Sequence, residues 1–227
     1  MCGRYASRRD PRDLASHFEV EEPQERLAPS YNVAPTDPVY VVLVRDDVRA
    51  LRVVRWGLVP SWAKEAKVGA RFINARRETL AEKPAFRSAY ARRRCLVPAD
   101  GYYEWQRTET GKQPWFLSAH DGTPLPMAGL YEVWKDADGE RLWTCTVVTT
   151  EAADEHGDIH DRTPLLVPRE DWGRWLDPSV PDPGGDLLVP GTPGVLQAWP
   201  VGPAVGNVRN DSPDLVEPLR PEAQTLF

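Results

Sequence analysis

The residues best suited to covalent chemistry stand at the start of the chain, which reads Met1-Cys2-Gly3-Arg4-Tyr5. A small second residue favours removal of the initiator methionine, which would leave Cys2 with a free α-amine beside its thiol. Ordinary pKa values of about 7.7 to 8.0 for the amine and about 8.5 for the thiol leave a reactive fraction of each group near neutral pH. We expect the pair to capture an aldehyde as a Schiff base and then a thiazolidine, or to act as nucleophile and base in a hydrolase.

Three other side chains are suited to moving protons or holding a reacting group. Glu104 stands between Tyr103 and Trp105, an apolar setting that would raise a carboxyl pKa, unless the glutamate faces water. His160 precedes a charged pair rather than lying on an apolar stripe, which favours a titrating role. Asn74 can hold a nucleophile or a sugar oxygen by hydrogen bonds, or it can simply shape a turn.

These side chains belong to segments whose composition core packing does not require. Amides, acids, arginine and histidine gather there among turn formers, in residues 31–36, 74–79, 99–105, 160–164 and 205–210. Loops of this kind present side chains to ligands. His156 and His160 form an i,i+4 pair, but no third ligand of fitting spacing accompanies them. We expect no metal site and no cofactor.

Charge is distributed unevenly along the chain. The net charge is -6, yet residues 1–113 carry 21 basic and 15 acidic residues, whereas residues 114–227 carry 7 and 19. Residues 52–94 hold 12 basic and 3 acidic residues together with five aromatic residues. Cations that contact phosphates and rings that stack on bases are typical of a single-strand nucleic-acid binder, and a solvated basic face is the alternative.

Length and composition indicate one domain. The 227 residues are 41% hydrophobic, enough for one substantial core. No apolar run reaches the length of a membrane helix and no secretory signal is apparent, so we expect a soluble intracellular protein. We also expect it to be a monomer. Three cysteines without C-x-x-C spacing indicate neither a disulfide framework nor a zinc ribbon. Cys95 and Cys145 lie in apolar runs and are expected to be inert core residues.

Local patterns predict more strands than helices. Asp10-Pro11 predicts a helix start, with Leu14 and Phe18 on the buried face. Residues 39–44 and 51–54 predict a hairpin, and residues 115–117, 127–134 and 141–148 predict an antiparallel meander. Residues 84–94 and 169–176 are predicted to be helical.

The fold class that follows is α+β, a single domain with an antiparallel, partly closed, barrel-like β-sheet core flanked by short helices. The Pro- and Gly-rich residues 178–193 predict a surface loop without structure of its own. The core is expected to span residues 2–211, with residues 212–227 forming a flexible C-terminal tail.

Seven separated motifs carry a resemblance to a known family. In chain order they are MCGRYA, YNVAPT, RWGLVPSW, NARRET, CLVPADGYYEW, HDRTPLL and VGNVRND. The chain resembles the SRAP (SOS response-associated peptidase) family, which shields abasic sites in single-stranded DNA, over nearly its whole length. The resemblance implies a DNA-damage-response enzyme that cross-links to abasic sites through a thiazolidine at Cys2 once Met1 is removed.

The resemblance also implies roles for individual residues. Asn74 matches the asparagine beside the cysteine, Glu104 the acid that shuttles protons, and His160 the histidine that assists opening of the sugar ring. DNA contacts are implied for another set, Arg4, Trp62, Arg76, Arg77, Thr149 and Arg162. Some family members carry two adjacent tryptophans where this chain has Trp62-Ala63, so stacking there is expected to be weaker.

The implied partner is single-stranded DNA with an abasic site, including single-strand to double-strand junctions at replication forks. The implied location is the nucleoid-associated cytoplasm of a bacterium or the nucleus of a eukaryote. Two other functions stay open: an amidotransferase or peptidase-like hydrolase using Cys2, and a non-covalent reader of single-stranded or modified DNA.

Overall fold

The computed structural model describes residues 2–152, 155–183, 185–188 and 194–219. Within these ranges the chain forms 12 strands and three α-helices, joined by short 3-10 turns. The strands are β1 (Arg4–Ser7), β2 (Ser30–Val33), β3 (Pro38–Arg45), β4 (Val48–Trp56), β5 (Asn74–Arg76), β6 (Arg94–Ala99), β7 (Gly101–Thr108), β8 (Gly111–Ala119), β9 (Leu125–Lys135), β10 (Arg141–Glu151), β11 (Arg162–Pro164) and β12 (Leu196–Pro200). The helices are α1 (Pro11–Phe18), α2 (Arg87–Arg92) and α3 (Trp172–Leu176).

Five strands close into a barrel. They pair in the order β10-β4-β3-β6-β9, and pairing between β9 and β10 completes the ring. Side chains alternate across each strand, so Val41, Leu43, Val97, Cys145 and Val147 belong to one buried cluster. A second cluster contains residues of opposite parity on the same strands together with residues of all three helices. The predicted α+β fold with a barrel-like core is confirmed.

A second sheet, ordered β12-β8-β7-β1-β2, carries the start of the chain. Its strand β8 pairs with β7 and β12, whereas β9 and β10 pair in the barrel. The prediction of one meander through residues 115–117, 127–134 and 141–148 is therefore wrong at its first link. Strand periodicity located the strands, but it does not report which sheet each strand joins.

Local signals predicted the N-terminal elements well. Helix α1 starts at Pro11, and the Asp10 carboxylate accepts a hydrogen bond from the amide of Arg12, as a helix N-cap does. The predicted hairpin is β3 and β4, and its turn residues Asp46 and Asp47 have φ values of 51° and 60°. Two positive φ angles in a two-residue turn match the twist of paired strands.

The later helices are shorter than the sequence predicted. Helix α2 ends at Arg92, and Arg94 already belongs to β6 with 2% of its surface exposed. Its guanidinium donates hydrogen bonds to the carbonyls of Tyr90, Trp175 and Val180. The predicted helix over residues 169–176 is a 3-10 turn followed by α3.

Two segments predicted to lack structure are partly ordered. Gly185–Leu188 forms a 3-10 turn, and Leu187 is 7% exposed. At the start of the predicted tail, Pro213–Val216 form a 3-10 turn with Leu215 buried against the second sheet. Residues 184, 189–193 and 220–227, which belong to the same two predictions, lie outside the described residues.

Glycine is required where β4 leaves the barrel. Gly57 has φ of 119°, and a Cβ on it would lie 2.8 Å from the carbonyl oxygen of Gly69. Both the backbone angle and this close approach exclude a larger residue. The turn leads to residues 58–73, which connect the barrel to Asn74.

Two further observations concern the described residues. None of their helices is long and apolar enough to cross a membrane. No group of three His, Cys, Asp or Glu side chains among them is arranged to hold a metal ion.

Cys2, Cys95 and Cys145 are all buried with free thiols, and burial raises the pKa of the Cys95 thiol. The expectation that Cys95 and Cys145 are core residues is confirmed.

Candidate active site

Cys2 lies where the second sheet meets the barrel. It precedes β1, which pairs antiparallel with β7 so that Arg4 faces Tyr103. Continuing this register places Gly3 opposite Glu104 and Cys2 opposite Trp105. The Cys2 side chain is 0% exposed and packs in the same cluster as the barrel interior.

Asn74 reaches Cys2 from the barrel side. It opens β5, which runs parallel to β10 with Asn74 beside Val147. The indole nitrogen of Trp56 donates a 2.9 Å hydrogen bond to the carbonyl of Ile73 and so fixes the backbone next to Asn74. Nδ2 of Asn74 donates a 2.7 Å hydrogen bond to the carbonyl of Cys2. Its Oδ1 is buried and has no hydrogen-bond partner among the described residues.

Glu104 projects from β7 toward the same interior. Alternation along the strand places Tyr103 in the cluster under the C-terminal segment and Glu104 on the opposite face. Glu104 is 4% exposed. Burial raises its pKa to about 7, against the opposing charge of the chain's amino group. At neutral pH the carboxyl is therefore divided between its acid and its base form.

The Cys2 thiol is protonated at neutral pH. Burial first, and the charge of Glu104 second, raise its pKa far above the ordinary value. The thiol points to the carbonyl of Arg4, with 3.9 Å between sulfur and oxygen. A base must therefore take the thiol proton before the sulfur can act as a nucleophile.

His160 completes the group from the loop before β11. Its Nε2 lies 4.0 Å from Oε2 of Glu104. Its Nδ1 accepts a 2.9 Å hydrogen bond from the backbone amide of Arg162, which places the proton of the neutral ring on Nε2. Burial and the chain's amino group lower the His160 pKa, so the ring is mostly neutral at pH 7. The structure thus brings together all four residues for which the sequence suggested chemistry.

The predicted DNA contacts fall into two groups. The first bonds to other parts of the protein; Arg162 and Thr149 in it are buried, and Arg4 is half-buried. Arg162 is 9% exposed, and its guanidinium binds both oxygens of Glu78 at 2.7 and 3.0 Å. It also donates a 2.7 Å hydrogen bond to the carbonyl of Thr149, which is 0% exposed. Arg4 donates to Oδ1 of Asn32 at 2.8 Å and to the carbonyl of Val205 at 3.0 Å. DNA contacts from these three residues stay predictions.

The second group is open to solvent. Trp62 is 60% exposed at a turn that is held by a 2.7 Å hydrogen bond from the indole of Trp134 to the carbonyl of Ala63. Arg76 is exposed, and Arg77 is about one quarter exposed and lies 3.5 Å from Glu78. These side chains can reach a ligand without rearrangement of the core.

Sequence reasoning missed two supporting residues. Asn32 is 3% exposed and donates to the carbonyls of Asn207 and Asn210, which ties the C-terminal loop to the site. Glu78 binds Arg162 across 84 positions of the chain. Both lie within segments singled out for their polar composition, but the sequence offers no signal for their distant partners.

The comparisons with known proteins agree with one another. A family model described as SOS response associated peptidase (SRAP) matches residues 1–208. Abasic site processing protein YoqW of Bacillus subtilis is 38% identical over 96% of this chain and 99% of its own length. Abasic site processing protein HMCES of Gallus gallus is 32% identical over 86% of this chain and 67% of its own length.

The fold of this chain is similar to that of two solved structures. A protein of Bacteroides thetaiotaomicron superposes with a TM-score of 0.86 at 24% identity, covering 96% of this chain and 100% of its own. A phage-related protein of Bordetella bronchiseptica gives a TM-score of 0.68 at 32% identity, covering 88% of this chain and 94% of its own. The first likeness concerns the fold alone.

Proposed function

The chain belongs to the SOS response associated peptidase (SRAP) family, and on that premise we propose that it processes abasic sites in single-stranded DNA by bonding Cys2 to the sugar aldehyde. The names of its relatives, abasic site processing proteins, support the choice of lesion. The observation that carries the proposal is the hydrogen bond from Asn74 to the Cys2 carbonyl, beside a buried carboxyl with a pKa of about 7.

The first step uses nitrogen. While Met1 is attached, the nitrogen of Cys2 is an unreactive amide, and the thiol is buried and protonated. Removal of Met1 converts this nitrogen into an amine, which attacks the aldehyde carbon of the ring-opened sugar. The Nε2 proton of His160 stabilises the sugar oxygen, and the Glu104 carboxylate takes a proton from the attacking amine. Loss of one water leaves a Schiff base.

The second step uses sulfur. The proton of the Cys2 thiol passes to a carboxylate, and Glu104 is the group whose charge acts directly on this thiol. The sulfur then bonds to the imine carbon, and the imine nitrogen takes up a proton. One C–N and one C–S bond have formed, water is the sole leaving group, and no oxidant or reductant is needed. Asn74 holds the Cys2 backbone during both steps, and such positioning can lower a barrier by about 7 to 11 kcal/mol.

The substrate preference follows from space and from exposed groups. An absent base leaves room for the start of the chain, and a single strand bends where stacking is already broken. Trp62 offers a ring to a neighbouring base, and Arg76 offers a cation to a phosphate. Stacking and charge of this kind are independent of base sequence.

The test compares the processed protein with two Cys2 variants on an oligonucleotide that carries one abasic site. The wild type should give an adduct that survives heating without borohydride. Cys2→Ser keeps the amine and should give an adduct only when borohydride reduces the Schiff base. Cys2→Ala should behave like Cys2→Ser, because it also keeps the amine but lacks the sulfur. A stable adduct with either variant, formed without borohydride, contradicts the thiazolidine.

A hydrolase using Cys2 predicts a different result. Its thiolate would turn over an amide substrate, and an alkylating agent would block that turnover without any DNA. The raised pKa and full burial of the thiol argue against a thiolate nucleophile that acts first. A non-covalent reader predicts equal binding of intact and abasic strands and no adduct.

A further inference from the structure

Glu78 forms a two-pronged ion pair with Arg162. Nη1 of the Arg162 guanidinium donates a 2.7 Å hydrogen bond to Oε1 of Glu78, and Nη2 donates a 3.0 Å hydrogen bond to Oε2. The hydrogen bond to Arg162 lowers the Glu78 pKa, so the carboxylate is charged at neutral pH. Paired hydrogen bonds between these two planar groups fix orientation as well as distance.

The guanidinium is anchored on its other side as well. Nη2 of Arg162 also donates a 2.7 Å hydrogen bond to the carbonyl of Thr149, in the strand that pairs with β11. The Arg162 side chain is about 10% exposed and the Glu78 side chain 37%, so the arginine end of the pair is shielded from water and the carboxylate end is partly open to it. Glu78 and Thr149 together leave this arginine little freedom to move.

The backbone of Arg162 contacts the imidazole of His160. Its amide donates a 2.9 Å hydrogen bond to Nδ1 of the imidazole. The carboxylate of Asp161, 88% exposed, lies at the same distance, 2.9 Å, from that nitrogen. The two contacts exclude each other in the neutral ring, because Nδ1 accepts from Arg162 only without a proton and donates to Asp161 only with one.

We propose that Glu78 is a positioning residue: by holding Arg162 it keeps the Arg162 amide on Nδ1 of His160 and so keeps the ring proton on Nε2, facing Glu104. This inference rests on the proposed function for its catalytic consequence, but its structural content does not. Without Glu78 the Arg162 amide would move away from Nδ1. The Asp161 carboxylate would then stabilise the tautomer that carries its proton on Nδ1, away from Glu104.

The direct test is the tautomer of His160 in the folded protein, read from the nitrogen-15 chemical shifts of the ring at a pH where it is neutral. The charged groups acting on this ring are Asp161, Arg107, Glu104 and the chain's amino group, and none of them is altered by Glu78→Ala. We expect the Nε2-protonated form in the wild type and a substantial shift to the Nδ1-protonated form in the variant. An unchanged tautomer overturns the proposal.

Three further variants serve as controls. Glu78→Gln keeps the shape of the side chain and should shift the tautomer less than Glu78→Ala; it also serves if the alanine variant fails to fold. Glu132→Ala breaks a 2.8 Å pair with Arg93 away from the site and should leave His160 unchanged. Adding Asp161→Asn to Glu78→Ala should restore the Nε2-protonated form, and failure to do so contradicts the competition described above.

The kinetic consequence separates this inference from the proposed function. Glu78→Ala should slow adduct formation at least about tenfold, as expected when a catalytic acid or base is impaired. Its affinity for DNA that carries an abasic analogue without an aldehyde should change much less. If no variant, nor the wild type, forms an adduct, the proposed function fails while the tautomer result still decides the role of Glu78. A normal tautomer in a slowed variant contradicts that role.

Discussion

Oε2 of Glu104 lies 4.0 Å from Nε2 of His160, and the pKa values of the two groups are reversed from their usual order. Burial raises the Glu104 pKa to about 7 and lowers the His160 pKa from its ordinary value. The carboxyl therefore keeps its proton at a pH where the imidazole has already lost its own. The site holds an acid that can also act as a base, next to a neutral hydrogen-bond donor.

Replacing Glu104 should stabilise the protein while it slows adduct formation. The folded state binds the Glu104 proton more tightly than the unfolded state, so the contribution of this group to stability is fully present below about pH 4.5 and is lost as pH rises through about 7. Glu104→Gln should remove this loss and raise the free energy of unfolding at pH 8 by up to about 3 kcal/mol. Denaturant unfolding at pH 4 and pH 8 measures the effect. A variant that is less stable than the wild type at pH 8 contradicts the buried carboxylate.

The rate of adduct formation should fall as pH falls through about 7. Below that value Glu104 is protonated and cannot accept a proton from the amine or the thiol. Glu104→Gln should lose this part of the profile and keep only the decline caused by protonation of the amine, whose ordinary pKa is about 7.7 to 8.0. Single-turnover rates from pH 5.5 to 9 provide the comparison. Profiles of identical shape would exclude Glu104 as the base.

Asn74 should matter for rate rather than for DNA binding. Its 2.7 Å hydrogen bond holds the Cys2 backbone, and misplacing a nucleophile by about 1 Å can cost about 100-fold in rate. Asn74→Ala should therefore slow adduct formation by about 10- to 100-fold with little change in affinity. Gln197→Ala, which removes a half-buried amide from β12, is the matched control and should react normally. Equal rates for the two variants would remove Asn74 from the mechanism.

Trp62 should contribute to binding of any single strand. Its ring is 60% exposed, and stacking of one base on an aromatic side chain is worth about 1 to 3 kcal/mol. Trp62→Ala should weaken binding by this amount whatever the base sequence, as measured by fluorescence anisotropy. Val48 is also 60% exposed but is the first residue of β4, next to the turn of the β3–β4 hairpin, so Val48→Ala should bind normally. If the two variants bind alike, the strand does not pass over Trp62.

Sequence patterns predicted the elements whose signals are local. The cap and proline at Asp10-Pro11 located α1, and the apolar runs around Asp46-Asp47 located a hairpin. Closure of the barrel depends on β9 pairing with both β6 and β10, and no window of sequence records it. For the same reason β8 was assigned to the wrong neighbour.

In the candidate site, too, the sequence predicts residues that have a local signal but not their distant partners. Cys2, Asn74, Glu104 and His160 could be named from residue type and family motifs, and the fold brings them together. The partners of the arginines could not be named: Glu78 lies 84 positions from Arg162, and Asn32 lies 28 positions from Arg4. A motif identifies a charged residue, but whether its charge faces DNA or an internal carboxylate depends on packing.

The central claim is tested most directly by the intact mass of the protein before and after incubation with a single-stranded oligonucleotide carrying one abasic site. We predict a starting mass that lacks Met1, and a product equal to protein plus DNA minus one water, formed without borohydride. A variant with Met1 retained, made by inserting a bulky residue between Met1 and Cys2, should give no product. A product of this composition that survives heating without borohydride, formed by that variant or by Cys2→Ala, would contradict the account.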